Sequence, residues 1–200
     1  MASIKIANKN FMSQSGTDEP AITSNVTFPA GHIIQTKFVS FDEDQTIGNG
    51  SSGGTTFTNI GSGVSGKEFS IDISVSSGNK IYGSGFVNMS GSNRYSAIKV
   101  FVDSTQIAFG EAVSGRAAGH TVTAGITSNN DVTYYNLYMH QASFAFTHTP
   151  SDTNSHAYKI QAGNTLAASY ITYINRSAGD VDASYGVRGY SHFILMEIAQ

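Results

Sequence analysis

The chain has 200 residues, a formal net charge of -3, 12% charged residues, 21 glycines and no cysteine or tryptophan. A chain of this length suits one all-β domain, able to bury roughly 70% of its unfolded surface. Its 11 Lys and Arg form no basic run that would attract nucleic acid, disulfides and thiolate metal sites are excluded, no stretch approaches the roughly 18 apolar residues of a membrane span, and MASIKIANKNF lacks the apolar h-region expected of a secretory leader.

In chain order, residues 1–28 hold small apolar patches among polar residues, with Gly16, Asp18 and Pro20 between them. They are too sparse to close a core. The segment reads as a short extended N-terminal arm whose apolar side chains, Ile4, Ile6, Phe11, Ile22 and Val26, attach the chain to another component. From Pro29 the pattern changes. HIIQTKFVSF (32–41) is the first long strand, with mixed faces, and residues 42–56 form a polar, glycine-rich loop. KEFSIDISV (67–75) is the cleanest strand, with Phe69, Ile71, Ile73 and Val75 on one face and Ser70, Asp72, Ser74 and Ser76 on the other.

KIYGSGFVNMS (80–90) and YSAIKVFVDS (95–104) follow through Gly, Ser and Asn turns, and Gly83 and Gly85 mark a bend or a close backbone approach. The longest apolar stretch is VTYYNLYMHQASFAFTH (132–148). Its β-branched and aromatic residues, the missing helix caps and the closing Thr149-Pro150 favour a strand over a helix. HAYKIQAG (156–163), ASYITYINRS (168–177) and GYSHFILMEIA (189–199) complete the set. Eight to ten strands with polar turns, no amphipathic helix and no visible repeat predict a two-sheet antiparallel, jelly-roll-like β-sandwich over 29–200.

The sequence carries little chemistry. Gly61-Ser-Gly-Val-Ser-Gly66 matches the dinucleotide-binding pattern, but that site needs a helix next and a strand follows, so it is a glycine loop and no cofactor is expected. Neither the six histidines nor Asp42-Glu43-Asp44 has metal-ligand spacing. His148 and His156 flank the loop TPSDTNS and are expected as hydrogen-bonded surface histidines, and the acidic triplet as a solvated loop. No nucleophile elbow or acid pair stands out, so no catalytic residue is assigned and the chain is expected not to be an enzyme.

The apolar surplus points to assembly. In the last strand Ile194, Met196 and Ile198 alternate with Phe193 and Leu195, so both faces are apolar, and Tyr82, Phe86 and Phe101 likewise oppose core-type residues. One core cannot use both faces. Tyr82, Phe86, Phe101, Phe193 and Leu195 are the expected oligomer interface, because exposed aromatic patches of this kind are buried between subunits.

Five patches, in order, carry a resemblance: PAGHIIQ (29–35), VFVDSTQI (100–107) with Gly115-Arg116, SFAF (143–146) with AYKIQ (157–161), YINRS (173–177) and ILMEIA (194–199). Together they resemble the jelly-roll structural proteins of bacteriophages, notably marine and cyanobacterial phages, found as tail-fibre-like or capsid-surface domains. The resemblance implies a virion-surface component, made in the host cytoplasm, that forms a homotrimer, contacts other virion proteins through its arm and carries no catalytic residues. It leaves the tail fibre, the neck fibre and capsid decoration open as its place. A different class remains open as well, a carbohydrate-binding module that recognises host-surface glycans, and a glycan depolymerase ranks last. Neither nucleic acid nor membrane insertion is expected.

Overall fold

The computed structural model describes residues 2–6, 9–16, 21–22, 27–48, 57–64, 66–91, 96–110, 119, 121–123, 138–165, 170–180, 182 and 188–200. Strands β1 (Ala2–Ile6), β2 (Lys9–Gln14) and β3 (Ala21–Ile22) pair antiparallel into a small sheet of their own. The N-terminal segment is therefore folded back on itself rather than simply extended, with Ile4 exposed to solvent. Val26 and the side chains of Ile6, Phe11 and Ile22 lie outside the described residues.

The remaining strands build two larger sheets. The first contains β4 (Ile33–Phe41), β5 (Gln45–Ile47), β8 (Lys80–Gly91), β12 (His140–His148), β14 (Thr172–Ile174) and β15 (Ser191–Ile198). The second contains β6 (Phe57–Asn59), β7 (Ser70–Ser74), β9 (Ser96–Val102), β10 (Thr105–Ile107), β11 (Thr121–Thr123) and β13 (Ser155–Asn164). Registers show that short strands share positions end to end. β15 covers residues 80–86 of β8 and β14 covers 89–91, while β7 covers 155–159 of β13 and β6 covers 161–163. β10 and β11 divide β9 in the same way, and β4 and β5 follow β15 and β14. Each sheet is then four positions wide. Numbered along the chain, the positions run 1-8-3-6 in one sheet and 2-7-4-5 in the other, which is the order of a jelly roll.

The core between the sheets follows the alternation of the sequence. Phe69, Ile71, Ile73 and Val75 are all buried, with Asp72 and Ser74 outside. Ile81, Val87 and Met89 from β8, Ile98 and Val100 from β9, and Tyr158 and Ile160 from β13 complete the apolar layer. Its centre is aromatic: Phe193 packs against Phe69, Phe144 and Phe146 with ring centroids 6.1, 5.5 and 6.3 Å apart. Gly83 and Gly85 make this possible by close approach. A Cβ at Gly83 would run into the Phe146 ring, and one at Gly85 would meet the His192 carbonyl and the Phe144 ring.

Phe193 and Leu195 correct the expected interface. Both are fully buried inside the sandwich, so the outward residues of β15 are His192, Ile194, Met196 and Ile198. The face chosen for the core also includes Glu197, only 1% exposed. Its carboxylate accepts hydrogen bonds from Gln35 Nε2 (2.6 Å), Asn79 Nδ2 (2.7 Å) and the Ser76 backbone N–H (2.8 Å). A second buried polar group, Asn175, sits between β14 and β15 in the left-handed region at φ 58. It donates to the Phe41 and Glu43 carbonyls and accepts from Ser191 Oγ, so both ends of its buried amide are hydrogen-bonded.

Burial pushes the Glu197 carboxyl upward, but the donors from Gln35, Asn79 and Ser76 outweigh it and hold the group below its ordinary value. A depressed carboxylate stabilises the fold above its unfolded pKa, and that contribution is lost as the pH falls through its folded pKa. Glu197→Gln is expected to cost about 1.5–3 kcal/mol in urea unfolding at neutral pH, the worth of hydrogen bonds to a charged group. The difference from the native chain should shrink in acid, and an equal difference at pH 7 and pH 3 would contradict this account.

Candidate functional site

The registers place the outward side chains of the first sheet in rows. Thr36, Met196, Tyr82 and Thr147 form one row, Phe38, Ile194, Ser84 and Ala145 the next, and Ser40, His192, Phe86 and Ser143 the third. Asn88 and Gln141 begin a fourth row beside Tyr190. None of these positions is Asp, Glu, Lys or Arg, and the row beyond Met196 and Tyr82, where Ile198 faces Lys80, puts one cation at the rim. Phe38 is 70% exposed and Tyr190 55%, whereas Tyr82, Phe86, His192, Ile194 and Met196 are half-buried by their neighbours.

A ladder of rings crosses this face from β4 to the start of β15. Phe38 lies 6.1 Å from His192, His192 6.3 Å from Phe86, and Phe86 5.5 Å from Tyr190 in an edge-on contact. Polar groups fix the ladder: Ser40 Oγ and His192 Nδ1 share a hydrogen bond of 3.1 Å, and Asn88 Nδ2 donates to the Tyr190 carbonyl at 2.7 Å. The outer face of the second sheet differs. Asp72, Lys99 and Lys159 stand on it, and Lys99 Nζ covers the Phe57 ring at 4.1 Å. That face resembles an ordinary solvated sheet surface.

The expected interface therefore divides. Tyr82 and Phe86 share the uncharged face, Phe101 lies on the opposite outer face between Lys159 and Gln106, and Phe193 and Leu195 are core. Sequence alternation separated the two faces of each strand. It had no means of showing that Phe86 and Phe101 belong to different sheets. Phe38, Tyr190 and His192 were not singled out from sequence, and the signal that would have found them is the absence of charge on alternate residues of β4 and β15.

The remaining candidate groups are tied to one another. Asp42 Oδ1 pairs with Lys67 Nζ at 2.9 Å, and Asp44 pairs with Arg188 at 3.2 Å, so the acidic triplet turns its charges toward cations instead of converging. Arg176 Nε stands 3.2 Å from Asp44 Oδ2, close enough for charge pairing but off the line of a hydrogen bond, and its guanidinium lies 4.2 Å over the Tyr173 ring. Among the described residues, no three His, Asp or Glu side chains converge as a metal site. The Gly61 loop, with Gly61, Gly63 and Gly66 at positive φ, joins β6 to β7 and is braced by Gln45, which accepts from Gly61 N–H and donates to the Ser62 carbonyl.

Two histidines mark one rim of the sandwich. Tyr158, fully buried and stacked on Phe146, reaches His148 across the gap between the sheets, Oη to Nδ1 2.8 Å. Burial pushes the His148 pKa down, with the nearby His156 cation adding to the effect, and burial pushes the Tyr158 hydroxyl up. The phenol and the imidazole are therefore both neutral, and the tautomer of the ring decides which of them donates. His156 is in the opposite situation: Asp103 and Asp152 face its two ring nitrogens and raise its pKa against the effect of burial.

No family model matches the chain, and no curated protein matches it. Among solved structures it is similar to a family two carbohydrate esterase from Cellvibrio japonicus, at 12% identity and a TM-score of 0.26, over 82% of this chain and 35% of that one. The chain thus spans about a third of that protein's length, and no residue role is taken from it.

Removing the Tyr158 hydroxyl leaves His148 Nδ1 facing an apolar ring. Tyr158→Phe is expected to lower stability by about 1–3 kcal/mol, the cost of one buried polar atom left without its partner. The His148 ring should then titrate without the phenol as a neutral-state partner, which NMR of its ring protons reads directly.

Proposed function

We propose that this chain is a structural protein of a phage virion surface that works by assembling with further copies of itself. The observation that carries this reading is the uncharged centre of the outer face of the 1-8-3-6 sheet, the rows inside Lys80, with its ladder from Phe38 to Tyr190. Bringing one copy of a face against another buries no like charges, so the large desolvation cost of unpaired ions does not arise. Strand spacing makes the face on the order of 500 Å2, four strands by three to four rows. If about half of the roughly 1,000 Å2 covered on two subunits is apolar, burial returns about 12 kcal/mol against an association cost of about 4–15 kcal/mol.

Those magnitudes nearly balance. Assembly through this face alone is reversible and concentration-dependent, and a permanent particle component needs a second surface, a role the N-terminal sheet fills in this reading. The phage resemblance implies three subunits. A ring of three sets the face against a different surface of the next copy, whereas face against face closes a pair. A second reading, a glycan-binding module for host contact, is favoured by one specific feature: Tyr190 is exposed, its backbone carbonyl is held by the Asn88 amide, and Gln141 stands opposite Asn88, an arrangement that suits sugar stacking and hydrogen bonding.

Light scattering across the micromolar range tests the main reading. A mass of three times the 21.2 kDa chain is expected, and Phe38→Asp, at a side chain already exposed, should reduce it to one chain without lowering the melting temperature. A native monomer at every concentration sinks self-assembly, and twice the chain mass sinks only the trimer. Binding on a glycan array that is lost in Tyr190→Ser would favour the second reading instead.

A further inference from the structure

We propose that His156 is the cationic pin of a pH-operated latch that clamps the loop between β12 and β13 to the turn between β9 and β10. The geometry of its ring carries the argument. Nδ1 lies 2.8 Å from Asp103 Oδ2 and Nε2 lies 3.1 Å from Asp152 Oδ1. An ionised carboxylate only accepts, and a neutral imidazole donates from one nitrogen and offers a lone pair at the other. Both contacts are therefore satisfied at once only when the ring is an imidazolium. Both aspartates are about half exposed and are held below the ordinary carboxylate range, Asp103 chiefly by His156 and Asp152 chiefly by the Asn154 backbone N–H. The shared proton therefore stays on the histidine.

The two partners are not equivalent. Asp103 sits at φ 53, its backbone N–H donates to the Ala157 carbonyl at 2.8 Å, and its Oδ1 accepts from Ala157 N–H at 2.9 Å. It is fixed to β13 whatever the state of the ring. Asp152 belongs to the exposed loop 149–154, which it braces through a hydrogen bond from Asn154 N–H. A neutral ring keeps its single donor on the shorter, immobile Asp103 contact and turns a lone pair toward Asp152, which repels the carboxylate and releases the loop. The other titratable groups nearby do not substitute for the pin: His148 of β12 is neutral and bonded to Tyr158, and Lys159 of β13 acts on Asp103.

The sign follows from the direction of each shift. A raised histidine stabilises the closed latch fully below its unfolded pKa, about 6.5, and loses that contribution as the pH rises through the folded value. The lowered aspartates act above their unfolded pKa and fail only in acid. The loop is thus closed in mild acid and opens as the pH rises through the raised His156 value. This inference is independent of the proposed assembly.

Long-range 15N NMR of the histidine rings on the full chain tests it. Both His156 nitrogens should carry protons at pH 6.5, its titration should centre above the ordinary histidine value, and the Asn154 amide shift should move with it. Asp152→Asn should lower the midpoint and uncouple Asn154 while leaving the Asp103 contact intact. Asp103→Asn, which tolerates the same left-handed backbone, should lower the midpoint further. A His156 ring that is neutral at pH 6.5, or an Asn154 amide that ignores its titration, overturns the proposal.

Discussion

A buried carboxylate at the end of the last strand fixes how that strand lies. Glu197 is the one charged side chain among the buried residues of β15, and its three donors come from β4 and from the turn before β8. An isolated carboxylate in that position would cost several kcal/mol. With Gln35, Asn79 and Ser76 in place it becomes a register pin, because shifting β15 by one residue would turn Glu197 to solvent and leave those donors without an acceptor. The same parity then places Phe193 and Leu195 in the core and Ile194 and Met196 outside.

That constraint explains why some of the fold was legible in the sequence and some was not. In Phe69 to Val75 the two faces differ sharply in polarity, so inside and outside followed from alternation alone. β15 has large apolar groups on both faces, and its only charge lies on the buried one. Polarity therefore gives the wrong sign there, and the deciding partners are far away in sequence. The jelly-roll class was readable because strand count and turn chemistry are local properties. The sharing of one position by two short strands was not, since β6 and β7 look like separate strands until both are seen against β13. The acidic triplet was legible as surface and illegible as a set of pairs, because Lys67, Arg176 and Arg188 come from other elements.

The outer face and the histidine rim have different physical characters. The outer face acts by what its centre lacks: rows of an exposed sheet without charges have little to lose on contact, and their rings offer area at low cost in side-chain entropy. The histidine rim acts by what it concentrates, with a neutral His148 and a cationic His156 on neighbouring strands. Burial decides the first, and two carboxylates decide the second. The same residue type thus serves as the neutral partner of a buried phenol and as a cation between loops within one edge of the sandwich.

The 1-8-3-6 order has a consequence for how the chain is made. Position 8 is the last to leave the ribosome, yet it lies between positions 1 and 3, so β4 has no neighbour in its sheet and β8 keeps one edge open until β15 is complete. Most of the sheet's contacts join residues more than a hundred apart in sequence, which places the chain among slow-folding, high-contact-order topologies. During that interval the chain displays unpaired β edges, whose only charges are Lys37 and Lys80, to every other copy being synthesised nearby. The absence of charge that suits the finished face to assembly is therefore also its main hazard before the final strand arrives.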